Sequence, residues 1–219
     1  MADNDHEIPD FLDDDFANDK EILRLRKGTS LDRELIDESV AVLRAAFNFV
    51  GSDAGDMEDF VMLSNLKAFT VESHHCVSDH QKILALILEY SSAYPTGKSS
   101  NSGTDLYLFG RLTLPRKYPK TYICKETIRE KLMELFMKRE TDFAEHGKFS
   151  ARFHVLTEDP ARLTDLLRLA PMEELIRFPD LELEIQGDQC FYRDAARPLS
   201  TDRAASFVEL TRILLRVFR

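Results

Sequence analysis

The sequence predicts an α+β domain, a single antiparallel sheet with helices packed mainly on one face. Three observations carry this. Amphipathic helical segments open and close the body of the chain. Between them lie stretches that alternate with period two or are apolar on both sides of that period, bounded by clusters of turn formers. One segment, LELEIQGDQCFYR at 181–193, has the form of a two-residue β-hairpin. The sheet is expected to hold a three-strand meander over about 60–114, a strand at 149–157 and that hairpin.

The first helix begins at Ser30, which can cap it, while Asp32 and Glu34 suit its positive end. Ile36, Val40, Leu43, Phe47 and Val50 recur at the spacing of one helical face until Gly51 stops it. GSDAGD at 51–56 reads as a loop, and FVMLSNLKAFTV at 60–71 mixes β-branched and aromatic residues as a strand does. KILALILEY at 82–90 fits either a helix or a central strand covered on both faces. The turn-rich AYPTGKSSNSG that follows, and the strand-like TDLYLFGRLTL after it, favour a hairpin with a long, mobile tip.

KETIREKLMELFMKRE at 125–140 reads as a helix, with Ile128, Leu132, Leu135 and Phe136 on its apolar stripe and Glu134 and Lys138 paired at i, i+4. In KFSARFHV, Phe149, Ala151, Phe153 and Val155 alternate with polar residues, so a strand is expected. Asp159 before Pro160 forms a helix start, with Leu163, Leu166 and Leu167 facing inward, and Pro171 opens a further helical turn carrying Leu175 and Ile176. A type II′ turn at Gly187-Asp188 would set Ile185 opposite Cys190, Leu183 opposite Tyr192 and Glu182 opposite Arg193. Phe207, Leu210, Leu214, Val217 and Phe218 line the last helix.

Charge divides the chain into an acidic disordered tail, 1–21, and a single domain, 22–219. The tail holds nine acids against Lys20, contributing −8 of the net −10, so the body is nearly neutral. No basic cluster interleaved with aromatics indicates nucleic acid, and no apolar run is long enough to span a membrane. The start MADNDHEIPD lacks the form of a signal peptide, and three widely spaced cysteines do not suggest a disulfide framework, so a cytoplasmic protein with reduced thiols is expected. IPDFLDDDF, with Phe11 and Phe16, could dock on a basic partner, although acidic chain ends are common without such a role.

EYSSAYPTGK at 89–98, LPRKYP at 114–119, ETDF at 140–143 and FSARFHVLTEDPARLTDLL at 149–167 together resemble a family of uncharacterised bacterial proteins over roughly residues 83–219. The chain departs from that pattern at Tyr118, at KYPKTYICKE and at Glu140, where an Asp is usual. The resemblance brings no activity, cofactor or catalytic residue. It implies strands at 83–93 and 104–114, and hence a polar turn at HHCVSDH, residues 74–80.

That stretch is the densest set of ligand-type side chains. His74, Cys76 and His80 could take zinc, but a structural site wants four ligands, usually in two separated pairs, and the second pair is missing. Gly97-Lys98-Ser99 has Ser92 where a phosphate loop needs its first glycine. Cys124 or Cys190 with His154 forms no recognisable nucleophile motif, and Glu182 with Glu184 is expected to meet water or Arg193. Tyr90, Tyr94, Tyr107, Tyr118 and Tyr122 concentrate around the long hairpin, a composition that suits either a core rim or a protein interface. The sequence therefore points to a non-catalytic interaction protein without a cofactor, binding another protein through those tyrosines and the acidic tail. A small metal-dependent hydrolase using the His74–His80 cluster is the alternative.

Overall fold

A computed structural model describes residues 30–51, 60–64, 69–77, 83–96, 99–125, 139–140, 143–194 and 198–219. The described residues form an α+β fold around one antiparallel sheet. Its strands are β1 (Phe49–Gly51), β2 (Phe69–Val77), β3 (Ile83–Thr96), β4 (Ser99–Lys125), β5 (Arg139–Glu140), β6 (Phe153–Thr157) and β7 (Glu182–Arg193). They run in the order β1-β2-β3-β4-β6-β5, with β7 paired to β4.

The helices are α1 (Ser30–Phe47), α2 (Val61–Ser64), α3 (Gly147–Ser150), α4 (Pro160–Leu167) and α5 (Thr201–Val217), with 3-10 turns at Ala144–His146 and Met172–Arg177. All but α2 contribute to the core on one face. Val40 and Leu43 of α1, Leu163 and Leu167 of α4, and Phe207, Leu210, Leu214 and Val217 of α5 pack there against Ile83, Ala85 and Ile87. The intervening Leu84, Leu86 and Leu88 point to the opposite face, into a second cluster with Tyr107, Phe109, Tyr122 and Phe191 under Phe60, Met62 and Leu63. The stretch Ile83–Leu88, apolar at every position, is thus covered on both sides, and the ambiguous run at 82–90 resolves from Ile83 as part of a central strand.

The segment 181–193 is the expected hairpin, although its twelve residues form one continuous strand element. A straight strand of that length would hold its ends roughly 36 Å apart. Instead Arg193 Nη2 lies 2.7 Å from Glu182 Oε2, so the strand doubles back. It does so at Gly187, whose φ of 62° is positive while that of Asp188 is not, as a type II′ turn requires. β4 wraps the hairpin: Gly110–Thr113 pairs with Gln189–Tyr192, and Thr121–Ile123 pairs with Leu183–Ile185, with the register broken across the Leu114–Lys117 corner.

Several expected boundaries are corrected. α1 stops at Phe47, because Asn48 takes a φ of 52° and its N–H bonds the Arg44 carbonyl, and the next three residues form β1. The strand expected over 60–71 is instead the helical turn α2 followed by β2, and adjacent Met62 and Leu63 are both buried, as alternation would not allow. The strand expected from 149 starts at Phe153. Ser150 Oγ accepts from Phe143 N at 2.9 Å and the Arg152 N–H bonds the Phe149 carbonyl, holding 147–150 helical. The polar turn expected at 74–80 is corrected in part, since His74, His75 and Cys76 lie within β2 opposite Leu86, Ala85 and Leu84. The helix expected over 125–140 is corrected at its ends, since Lys125 closes β4 and Arg139–Glu140 form β5, while residues 126–138 lie outside the described residues, as do the tail 1–21 and the loop residues 52–56.

Candidate functional site

The β3–β4 hairpin leaves the sheet as a two-stranded arm. Among the described residues, β2 pairs with β3 as far as Tyr90, and β7 pairs with β4 from Gly110 onward. Beyond that base the two strands continue to pair with each other, from Ser91↔Thr104 through Tyr94↔Asn101 to Thr96↔Ser99. Six residues of strand extend the arm by about 20 Å. Its outer edges carry no strand partner among the described residues. Where a long tip was expected, pairing closes to the two residues Gly97 and Lys98, which lie outside the described residues.

The two edges differ in chemistry. The β3 edge contains Pro95, which has no N–H to donate. Ser99, Ser100, Asn101, Ser102, Gly103 and Thr104 on the β4 edge include neither proline nor charge, the usual devices that block pairing with another chain. An extended segment can therefore add to that edge through main-chain hydrogen bonds. This edge was not legible in the sequence, because Ser, Asn and Gly have low strand propensity and read as a loop.

The tyrosines are distributed differently from the expectation. Tyr90 lies at the base of the arm, opposite Asp105, and Tyr94 lies within the arm, opposite Asn101. Tyr107, Tyr118 and Tyr122 are 1%, 3% and 2% exposed, so they are corrected from a partner-binding rim to core. Tyr118 packs edge-on to Phe218 at 5.3 Å, and Tyr122 donates to Glu182 Oε2 at 3.3 Å. Phe11 and Phe16 lie outside the described residues.

The residues with catalytic potential are built into the frame. Glu182 is held by Arg193, and Glu184, fully buried, accepts from the Met62 N–H at 2.9 Å and from Gln186 Nε2 at 2.8 Å. Glu184 thus ties α2 to the second face of the sheet, a role the sequence did not signal. Asp159 Oδ1 caps α4 by accepting from Arg162 N at 3.0 Å, while Glu158 Oε1 accepts from Lys120 N. Cys124 does stand opposite His154 in the β4–β6 register. Burial, reinforced by the charge of Glu182, pushes its thiol up to about 12, leaving on the order of one thiolate in 10⁵ chains at neutral pH. Burial raises the Cys190 thiol as well.

His74 and Cys76 sit in β2 while His80 lies outside the described residues, and among the described residues no three His, Cys, Asp or Glu side chains gather as a metal site would require. No helix among the described residues is long and apolar enough to cross a membrane. The class that fold and site define is an α+β sheet protein with a projecting two-stranded arm. No family model, curated protein or solved structure matches the chain.

Proposed function

We propose that this is a non-catalytic cytoplasmic interaction protein whose partner is another protein, and that the β3–β4 arm is its binding element. The carrying observation is the arm itself, paired internally from Ser91↔Thr104 to Thr96↔Ser99 and flanked by no further strand among the described residues. An extended segment of the partner adds to the Ser99–Thr104 edge, where backbone groups supply affinity and neighbouring side chains supply selectivity. The acidic segment 1–21 is a second element, adding attraction to a basic partner that salt screens.

The test joins Tyr90 directly to Asp105 through an Asn-Gly turn, which suits the Tyr90↔Asp105 pair at the arm's base. The trimmed chain should keep its melting temperature and lose partner capture from an extract of the source cells. Ser102→Lys, which places a charge on the edge, should weaken capture in the same direction. Equal capture by intact and trimmed chains, or capture by neither, contradicts the proposal.

A further inference from the structure

An open, mainly apolar groove lies away from the arm, where α5 ends beside the Leu114–Lys117 corner of β4. It measures about 330 Å³ and runs between Leu112, Leu114 and Pro115 of β4 and Leu214, Leu215 and Phe218 at the end of α5, with Arg219 at its rim. Leu215 leaves 38% of its surface in water there. The space equals about eleven waters' share of liquid, room for a pair of large apolar side chains.

The rim is basic. Arg116 Nη2 donates to the Arg219 carbonyl oxygen at 2.5 Å, and Arg162 Nη2 donates to the Lys117 carbonyl oxygen at 3.2 Å, so four cationic residues gather at this corner. Arg216 is committed to Glu174, but no side-chain carboxylate among the described residues pairs with Arg116 or Arg219. Even with a terminal carboxylate on Arg219, the rim keeps a surplus of positive charge.

The chain contains the complement of such a surface. In IPDFLDDDF, Ile8, Phe11, Leu12 and Phe16 follow the i, i+3, i+4, i+8 spacing of one helical face, and Pro9 suits a first helical turn. Asp10, Asp13 and Asp14 fall on the opposite face, while Asp15 falls within the apolar stripe, where an arginine at the groove's rim would meet it. We infer that residues 8–16 occupy this groove in the same molecule, as a short amphipathic helix that sets apolar side chains against Leu114 and Leu215 and aspartates against Arg116 and Arg219.

The chain is long enough. From Phe16 to Ser30, the first described residue, fourteen residues span up to about 46–50 Å. The helix α1 is about 26 Å long. Its Phe47 end lies under Arg212 of α5, ring centroid to Cζ 5.6 Å. The groove is within two turns of Arg212, about 10 Å. A dissociation constant near the effective concentration of so short a tether, on the order of 1 mM, leaves the groove filled in about half the chains. Docking therefore adds little to thermal stability. This reading is independent of the arm and of any partner.

Photo-crosslinking in the full-length chain tests it. With p-benzoylphenylalanine in place of Phe16, irradiation of a dilute solution should give crosslinks within one chain, mapped by mass spectrometry to residues 112–115 and 214–219. Phe11→Ser combined with Leu12→Ser should lower their yield by about fivefold or more. Arg116→Glu combined with Arg219→Glu, both at exposed positions, should lower it by about threefold or more. Adding Asp13→Arg and Asp14→Arg to that charge-reversed chain should restore the yield, which a folding defect would not allow. Crosslinks that join two chains, crosslinks to another surface of the same chain, the absence of crosslinks, or a yield indifferent to the charge reversal and its rescue overturns the inference.

Discussion

Cys124, Cys190, Tyr122 and Tyr192 are held in their neutral forms, in each case chiefly by burial. Because the folded chain keeps these protons longer than the unfolded chain does, stability must fall as pH rises. The loss begins near the ordinary thiol range, about 8.5, and extends through about 12 for Cys124. In native protein at pH 8, a thiol reagent should therefore label no more than one of the three cysteines, Cys76, and denaturant should release the other two. Rapid labelling of Cys124 in the folded state would contradict its structural role. Gly110 makes a comparable point by contact: a Cβ added there would lie 2.2 Å from the Tyr192 ring. That ring cannot retreat, since it stacks on Phe207 at 5.2 Å and its hydroxyl bonds Thr211 at 2.6 Å. Gly110→Ala should cost about 3 kcal/mol, roughly 10 °C in Tm for a chain of this size, measured by thermal unfolding. A neutral effect would mean that the contact is not tight.

Among elements, the β7 hairpin was legible in full because its information is local. Gly187-Asp188 sets the turn, and the expected Glu182–Arg193 partnership is the ion pair observed. The cap at Asp159 is equally local, accepting from the N–H three residues on. The arm, β1 and the short helices α2 and α3 were not legible, because each depends on distant groups or on weak propensities. α2 is fixed by Glu184, 122 residues away, and the arm pairs residues that individually favour loops. The Glu182–Arg193 pair closes the hairpin with side chains only 5% and 13% exposed. Arg193→Met should therefore cost about 3 kcal/mol by stranding a buried carboxylate, and adding Glu182→Gln should recover part of it. Chemical denaturation of the single and double variants reads this coupling, and strict additivity would show that the two groups act independently.

For the whole molecule, the charge pattern separates an acidic lead from a nearly neutral body, while the sheet is apolar on both faces. The class of fold could be read from the order of periodic segments, but which tyrosines are buried could not. Aromatic content is the same whether a tyrosine packs inside or faces a partner, and Tyr107, Tyr118 and Tyr122 pack inside. Deleting residues 1–21 should leave Tm nearly unchanged and weaken partner capture more at low salt than at high salt. A large loss of thermal stability would place that segment in the fold instead. The central claim is that binding resides in the β3–β4 arm. The most direct measurement is crosslinking of the intact chain to its captured partner, with the crosslinked positions mapped by mass spectrometry. Crosslinks should concentrate between residues 90 and 105 and vanish with the arm-trimmed chain; a contact map centred on any other surface, unchanged by trimming, would contradict the account.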